Sequence, residues 1–426
     1  MSSRWKFGPK LTVTGQRLEN GLDIYLLADP SAPVVSYQTW FRVGSRHEKP
    51  GKTGLAHLFE HLMFNETKNL AAGAFDRQLE AVGGETNAAT WTDWTYYYDN
   101  VPKAEIELAV RLEADRMANL VLRKPQVTSE KEVVANERRY RVDDDVEGTA
   151  GEELYAAAFS KHPYHWPTIG WMKDIKAFTT EDCRAFYRTY YAPNNALLVI
   201  AGDIDERKTL GLVKKYYGRI GMADLPKAET PHEPPQKKEK RLVLRKPTSG
   251  EKLDIGYRAP AFGDYDWAVL TVANEILFGG RSSRLYRALV SEGELASEAR
   301  GSLAPFRDPG LYEIWIGMRP EYRAGMALDI VDRELDRLMR RPVSERELEK
   351  AKNRLELGFW QALETASGKA SQVGFYAAVL DDPGRIFARL EDYRRVTASE
   401  IRRCAEVYLP HRSRTIVKVV PSKEKS

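Results

Sequence analysis

TEDCRAFYRTYYAPNNALLVIAGD, residues 180–203, reads as a helix that stops at a Tyr-x-Pro and hands over to a buried strand. The same order returns in TASEIRRCAEVYLP at 397–410, which leads into the strand RTIVKVV at 414–420. A second pair agrees: RMANLVLRKPQVTSEKEVVANERR (116–139) is echoed by RELDRLMRRPVSERELEKAKNRLE (333–356). Both pairs are offset by 217 residues, so one duplication accounts for them. A repeat of that size means two similar domains, because solenoid units run only about 20–50 residues.

Between the copies lies DLPKAETPHEPPQKKEKR, residues 224–241, where four prolines and a Lys/Glu cluster replace hydrophobic periodicity. That composition predicts an exposed linker joining domains 1–223 and 242–426. Strand-like DIYLLAD, VVSYQTWFRV and TWTDWTYYYDNV are grouped apart from helix-like AEIELAVRLEADRMANL and SEKEVVANERRYR, the latter with Thr128 or Ser129 as N-cap. Grouped strands and grouped helices predict an α+β fold: two similar α/β sandwich domains, each a mixed or antiparallel sheet with helices on one face.

The bulk composition agrees. At 426 residues, with 42% hydrophobic and 30% charged residues, the chain has the make-up of a globular protein of more than one domain. It contains no apolar run of about 18 residues, so no spanning helix is expected. The N-terminus MSSRWKFGPKLTVTGQRLENG has no apolar signal region, which makes the cytoplasm the default and the periplasm the expectation if a signal was removed. Net charge is +4 without a basic stripe, which argues against nucleic acid as a partner. Cys183 and Cys404 make no C-x-x-C spacing, so a thiolate metal site is not expected.

The chemistry concentrates in GLAHLFEHLMF, residues 54–64. His57 and His61 are four apart, so a helix projects both imidazoles from one face toward one ion. Glu60 lies on the same side, within reach of a water in an open coordination position. This H-x-x-E-H order is the inverzincin signature. Two histidines are half a tetrahedron, and the missing ligand is sought on SEKEVVANERR. Glu130 and Glu137 are two turns apart on one face, and spacing alone leaves Glu130, Glu132 and Glu137 all open. Two hydrogen-bonded core histidines would fit the same pattern. Only seven histidines occur in the chain, however, and two fall at this spacing around a Glu. His162 and His165, interleaved with prolines in KHPYHWPT, read as loop residues, and His47, His232 and His411 are isolated.

With these blocks in view, the chain resembles the pitrilysin/insulinase family of zinc peptidases, especially its half-length branch with the mitochondrial processing peptidase β subunit. The likeness rests on LENGLDIYLL, FRVGSRHE, GKTGLAHLFEHLMF, GGETNAATWTDWTYYY, VVANE, HPYHWPTIG, YYAPNNALLVIAGD and GGRSSRLYRALV, in that order over nearly the whole chain. It implies zinc, one ion per chain, held by His57, His61 and Glu137. It implies Glu60 as the base that activates the zinc-bound water, and Glu130 as a carboxylate supporting a ligating His. It also implies that Asn87 and Ala88, on an edge strand, touch the main chain of an extended peptide substrate. The second domain keeps no metal site: Asn274 and Glu275 stand where Glu60 and His61 would be, and Asn353 stands for Glu137.

One departure has consequences. Active members carry an Arg and, seven residues on, a Tyr in the second domain; here those places hold Val290 and Ser297. The resemblance therefore implies an endopeptidase subunit that forms a heterodimer with a homologous zinc-less subunit carrying the Arg/Tyr pair. The rival readings are a non-catalytic assembly subunit of the same fold and a metal-binding scaffold that acts only as an interaction module.

Overall fold

The run ALLVIAG offers a sheet no polar face, so a strand made of it must be covered on both sides. In the computed structural model, which describes residues 2–8, 10–227 and 231–422, that run is strand β7 (Ala196–Gly202), buried from end to end. It sits inside a seven-stranded sheet of order β1-β2-β3-β7-β4-β6-β5. The other strands are β1 (Ser2–Phe7), β2 (Leu11–Arg17), β3 (Asp23–Ala28), β4 (Val34–Phe41), β5 (Glu85–Thr90) and β6 (Thr95–Pro102). Only β3 and β7 pair in parallel; every other neighbour is antiparallel.

A five-stranded sheet of order β10-β11-β9-β12-β8 forms from β8 (Lys240–Lys246), β9 (Lys252–Arg258), β10 (Ala296–Leu303), β11 (Leu311–Met318) and β12 (Arg414–Pro421). Here β8 and β12 are the parallel pair, and the rest are antiparallel. Strand for strand, β8 to β12 repeat β3 to β7 in order and direction. The first residues of β3 and β8, 23 and 240, are 217 apart, and those of β7 and β12, 196 and 414, are 218 apart. The duplication read from the helix–Pro–strand motif is therefore a duplication of sheet topology. The α+β expectation holds, with the hairpin β1–β2 added to the first copy.

The chain divides into two compact units: Met1–Glu137 with Pro167–Glu229 and Gln361–Phe387, and Arg138–Trp166 with Thr230–Trp360 and Ala388–Ser426. In the first, helices Ile106–Asn119 and Glu206–Tyr217 line one sheet face. Thr39 donates to Glu113 at 2.9 Å, and the Tyr37 and Tyr217 hydroxyls meet at 2.7 Å. The other face takes helix Ala366–Leu380 from late in the sequence, with Gln38 Nε2 donating to Ser371 Oγ at 3.0 Å. In the second unit, helix Val146–Ala158, from early in the sequence, lies on β9 and β12. Its Ala150, Leu154 and Ala158 pack with Trp315, Val417 and Val419. Among the described residues, each sheet thus carries helices on both faces, one face taking a helix from the other half of the sequence.

That seating is close enough to test. A Cβ on Gly374 would stand 2.1 Å from Trp40 Nε1. Overpacking costs about 1–3 kcal/mol, against about 1 kcal/mol gained by Ala over Gly in a helix. Gly374→Ala should therefore destabilise the fold, seen as a lower urea midpoint, whereas an unchanged midpoint would deny the contact.

Beneath helix Val146–Ala158 the second unit holds two carboxyls, the buried Asp254 and the half-buried Glu313. Burial and the neighbouring Glu313 push Asp254 well above the usual carboxyl range, and burial raises Glu313 to about 7, against the Tyr155 hydroxyl that donates to it. The folded chain thus keeps protons that the unfolded chain releases above about pH 4.5. Their contribution is whole below that pH and fades as pH rises through about 7. Glu313→Gln should flatten this decline by at most about 1.4 kcal/mol per pH unit, measured by urea melts from pH 5 to 8; parallel wild-type and variant curves would contradict it.

Three local expectations change. Thr128 and Ser129 do not cap a helix; they lie inside Lys124–Arg138, which starts earlier because Pro125 is tolerated in a first turn whose N–H groups have no partners anyway. TWTDWTYYYDNV is not all strand: residues 91–94 make the turn between β5 and β6. Residues 231–239 of the expected linker form neither helix nor strand, and β8 opens at Lys240; residues 228–230 lie outside the described residues. Glu233 in this stretch accepts the backbone N–H groups of Ser160, Lys161 and His162 at 2.7–2.9 Å. Among the described residues no helix is long and apolar enough to cross a membrane.

Candidate metal centre

Helix Leu55–Leu62 forms as an amphipathic two-turn element. Leu55, Ala56, Leu58, Phe59 and Leu62 are buried. Phe59 is held in an aromatic nest, with centroids 5.2 Å from Phe186, 4.9 Å from Tyr191 and 6.1 Å from Tyr187. With that face anchored, His57, Glu60 and His61 point the other way. The two imidazole centroids are 5.0 Å apart. Helix Lys124–Arg138 is seated by the buried Val134 and Ala135 and delivers Glu137 to them.

One Glu137 oxygen, Oε2, lies 3.3 Å from His61 Nε2 and 3.6 Å from His57 Nε2. Among the described residues this trio is the one group of three or more His, Cys, Asp or Glu side chains whose ligand atoms all fall within 4.8 Å of one another. Nitrogen and oxygen ligands at about 2.0–2.1 Å from a tetrahedral zinc are themselves about 3.3–3.5 Å apart. The donor set and its spacing fit zinc.

Glu132 is exposed and takes no part in the trio. Glu130 Oε2 stands 3.7 Å from His61 Nδ1, on the side of the ring away from Glu137, and its other oxygen accepts from Asn65 Nδ2 at 3.2 Å. Burial pulls the His61 pKa down, but Glu137, Glu60 and Glu130 outweigh it and leave the ring above its ordinary value. The pocket is anionic and favours a cation. Asn65 went unnoticed in the sequence, although it stands one turn after His61 as the first polar residue beyond LMF.

Glu60 is half-buried and outside the trio; burial, the neighbouring Tyr98 and, least, the Glu60 charge raise the pKa of the Tyr96 hydroxyl on β6. Strand β5 is the last of its sheet and packs beside helix Leu55–Leu62. Asn87 pairs with Tyr98 and Ala88 with Tyr97, and the Ala88 N–H is taken by Asn87 Oδ1 at 2.8 Å. The structure thus brings together His57, His61, Glu137, Glu130 and Glu60, and puts Asn87 and Ala88 on the neighbouring edge strand.

The remaining candidates are structural. His162 lies 3.1 Å from Asp308 and accepts the Tyr164 N–H, while His165 bonds the Phe159 carbonyl. Burial pushes the thiols of Cys183 and Cys404 up to about 12, and neither belongs to the convergent trio. In the second unit Asn274 accepts from the Tyr312 hydroxyl and Glu275 pairs with Arg354. Val290 packs on the core, and Ser297 donates to the Gly317 carbonyl at 3.1 Å.

Comparison with known proteins bears on the family and the fold. Residues 24–170 match the family model for insulinase (peptidase family M16), and residues 177–355 match that of the peptidase M16 inactive domain. The zinc protease PqqE of Helicobacter pylori is 32% identical over 95% of this chain and 92% of its own. An uncharacterized zinc protease of Mycobacterium tuberculosis is 30% identical over 93% of this chain and 90% of its own. The crystal structure of a protease from Helicobacter pylori superposes with a TM-score of 0.92 at 31% identity, covering 96% of this chain and 99% of that one. A peptidase M16 inactive domain from Pseudomonas fluorescens shares the fold, with a TM-score of 0.88 at 18% identity over 97% of this chain and 99% of its own. A duplicated α+β chain with this convergent trio and these relatives belongs to the insulinase family, peptidase family M16.

Proposed function

We propose that the chain is a zinc-dependent endopeptidase subunit that hydrolyses peptides or short unfolded segments. The observation that carries the proposal is the meeting of His57 Nε2 and His61 Nε2 at a single Glu137 oxygen. In it, residues 1–223 supply every metal ligand and residues 242–426 none.

Zinc, when bound by His57, His61 and Glu137, polarises a carbonyl and lowers the pKa of water toward about 7. The chain's own residues do the rest. Glu60 accepts a proton from the attacking water at its carboxylate and later delivers it to the leaving amine. Glu130 steadies the His61 ring from its Nδ1 side. Strand β5 adds the peptide as one more strand, so recognition runs through the main chain at Asn87 and Ala88 and makes little demand on substrate sequence.

Val290 and Ser297 cannot donate to the oxyanion as an Arg and a Tyr do, and one such donor is worth about 10²–10³ in rate. The proposal therefore includes a homologous zinc-less partner that supplies an Arg and a Tyr. A non-catalytic role in an assembly is favoured by the same two residues. Peptide cleavage by the chain alone and after mixing with such a homologue separates the readings. Cleavage rising at least about 10²-fold on mixing supports the heterodimer, full activity of the isolated chain sinks it, and no cleavage in either state supports the assembly role.

A further inference from the structure

Helix Leu55–Leu62 carries two ligands and the base in two turns, yet it begins without a cap of its own. Its N-cap is Gly54, at φ 92°, with no side chain to accept a first-turn N–H. A Cβ there would stand 2.3 Å from the Ile169 carbonyl oxygen and 2.9 Å from Gly170 Cα. A Cβ on Gly170, at φ 83°, would stand 2.2 Å from the Thr53 oxygen. Backbone is packed on backbone, and the Ser, Thr, Asp or Asn that normally caps a helix cannot fit.

The orphan amides go to a residue six and eight positions upstream. Glu48 Oε2 accepts from the Gly54 N–H at 2.8 Å, and Oε1 accepts from the Ala56 N–H at 2.7 Å. Behind them, Asp174 Oδ2 accepts from the Thr53 N–H at 3.2 Å and the Thr53 hydroxyl at 2.7 Å. Thr53 Oγ1 in turn accepts the Trp171 N–H at 3.0 Å. Glu48, Thr53 and Asp174 are 8%, 1% and 3% exposed, so water has little access to replace any of these bonds. The last amide held directly precedes His57.

We infer that Glu48, seconded by Asp174, is a positioning residue that sets zinc affinity by clamping the first turn of the helix that carries His57. The inference rests on the metal-centre reading above. A helix this short is marginal by itself, and an unheld first turn frays. A site of this kind keeps its affinity only while its ligands stay within about 0.5 Å of the binding geometry. A Gln at 48 can accept one of the two N–H groups but turns its own NH₂ toward the other.

Zinc affinity measured by chelator competition tests this, with the visible absorption of the cobalt-substituted chain as a second readout of coordination geometry. Glu48→Gln is expected to bind zinc about tenfold more weakly and to shift the cobalt bands; Asp174→Asn, which loosens only Thr53, about threefold. Asp205→Ala, which uncaps helix Glu206–Tyr217, is the control for stability alone: a lower unfolding midpoint with unchanged zinc affinity. Wild-type affinity and spectrum in Glu48→Gln, or a loss of affinity no greater than that of Asp205→Ala, overturns the inference. Should Glu48→Gln fail to fold, wild-type affinity in Asp174→Asn overturns it instead. A wild-type chain that takes up no zinc overturns the metal-centre reading itself, and the clamp with it.

Discussion

Glu60→Gln is expected to keep its zinc and to lose turnover by about 10³-fold, within the 10²–10⁴ range that a positioned general base contributes. The two halves of this expectation have separate origins. Retention follows because Glu60 is outside the trio of convergent ligand atoms, so its carboxylate can be neutralised without removing a donor. Loss follows because Gln has nearly the same shape but cannot take a proton from water. The partner question does not affect the comparison if both forms are assayed in the same mixture. Metal content and single-turnover rates check it. Surviving turnover would mean that the base is another group, and lost zinc would mean that Glu60 helps to build the site.

Glu137→Gln should act the other way, emptying the centre. Both imidazoles converge on the oxygen that this substitution neutralises, at 3.3 and 3.6 Å. Structural zinc sites with four ligands are worth roughly 10–16 kcal/mol, so one ligand accounts for about a quarter of that and its loss weakens binding by about 10²-fold or more. Glu130→Gln, by contrast, touches only the far side of His61, and supporting carboxylates of that kind are worth about 10–100-fold in affinity. Titrating zinc against a chelator in both variants should place Glu137→Gln clearly below Glu130→Gln. The reverse order would make Glu130 the ligand and Glu137 the support, which spacing alone had left open.

How far the sequence could be read depended on whether a feature is local. The repeat was legible because a helix, a Tyr-x-Pro and an apolar strand leave a local signature, and it returned as the same five-strand order in β3–β7 and β8–β12. His57, Glu60 and His61 were legible because helical spacing alone puts them on one face. Glu137 required the family pattern, since the match between two distant helices is a tertiary fact.

The crossing of helices Val146–Ala158 and Ala366–Leu380 to the other half's sheet was not anticipated, because periodicity shows that a helix has an apolar face but not which sheet covers it. Its trace was present nonetheless: LLVIA in β7 has no polar alternation, and such a strand needs cover on both sides. The cap at Glu48 was hidden for a different reason. Cap rules look at the residue next to the helix, and here Gly54 is forced on that position by the backbone at Ile169 and Gly170.

The central claim is that His57, His61 and Glu137 form a zinc centre, and anomalous diffraction at the zinc edge from zinc-soaked crystals tests it most directly. One strong peak per chain is expected, bounded by His57 Nε2, His61 Nε2 and the Glu137 carboxylate, with a weaker peak in Glu137→Gln crystals soaked at the same limiting zinc concentration. A chain without that peak, or with its zinc held by other residues, would contradict the claim.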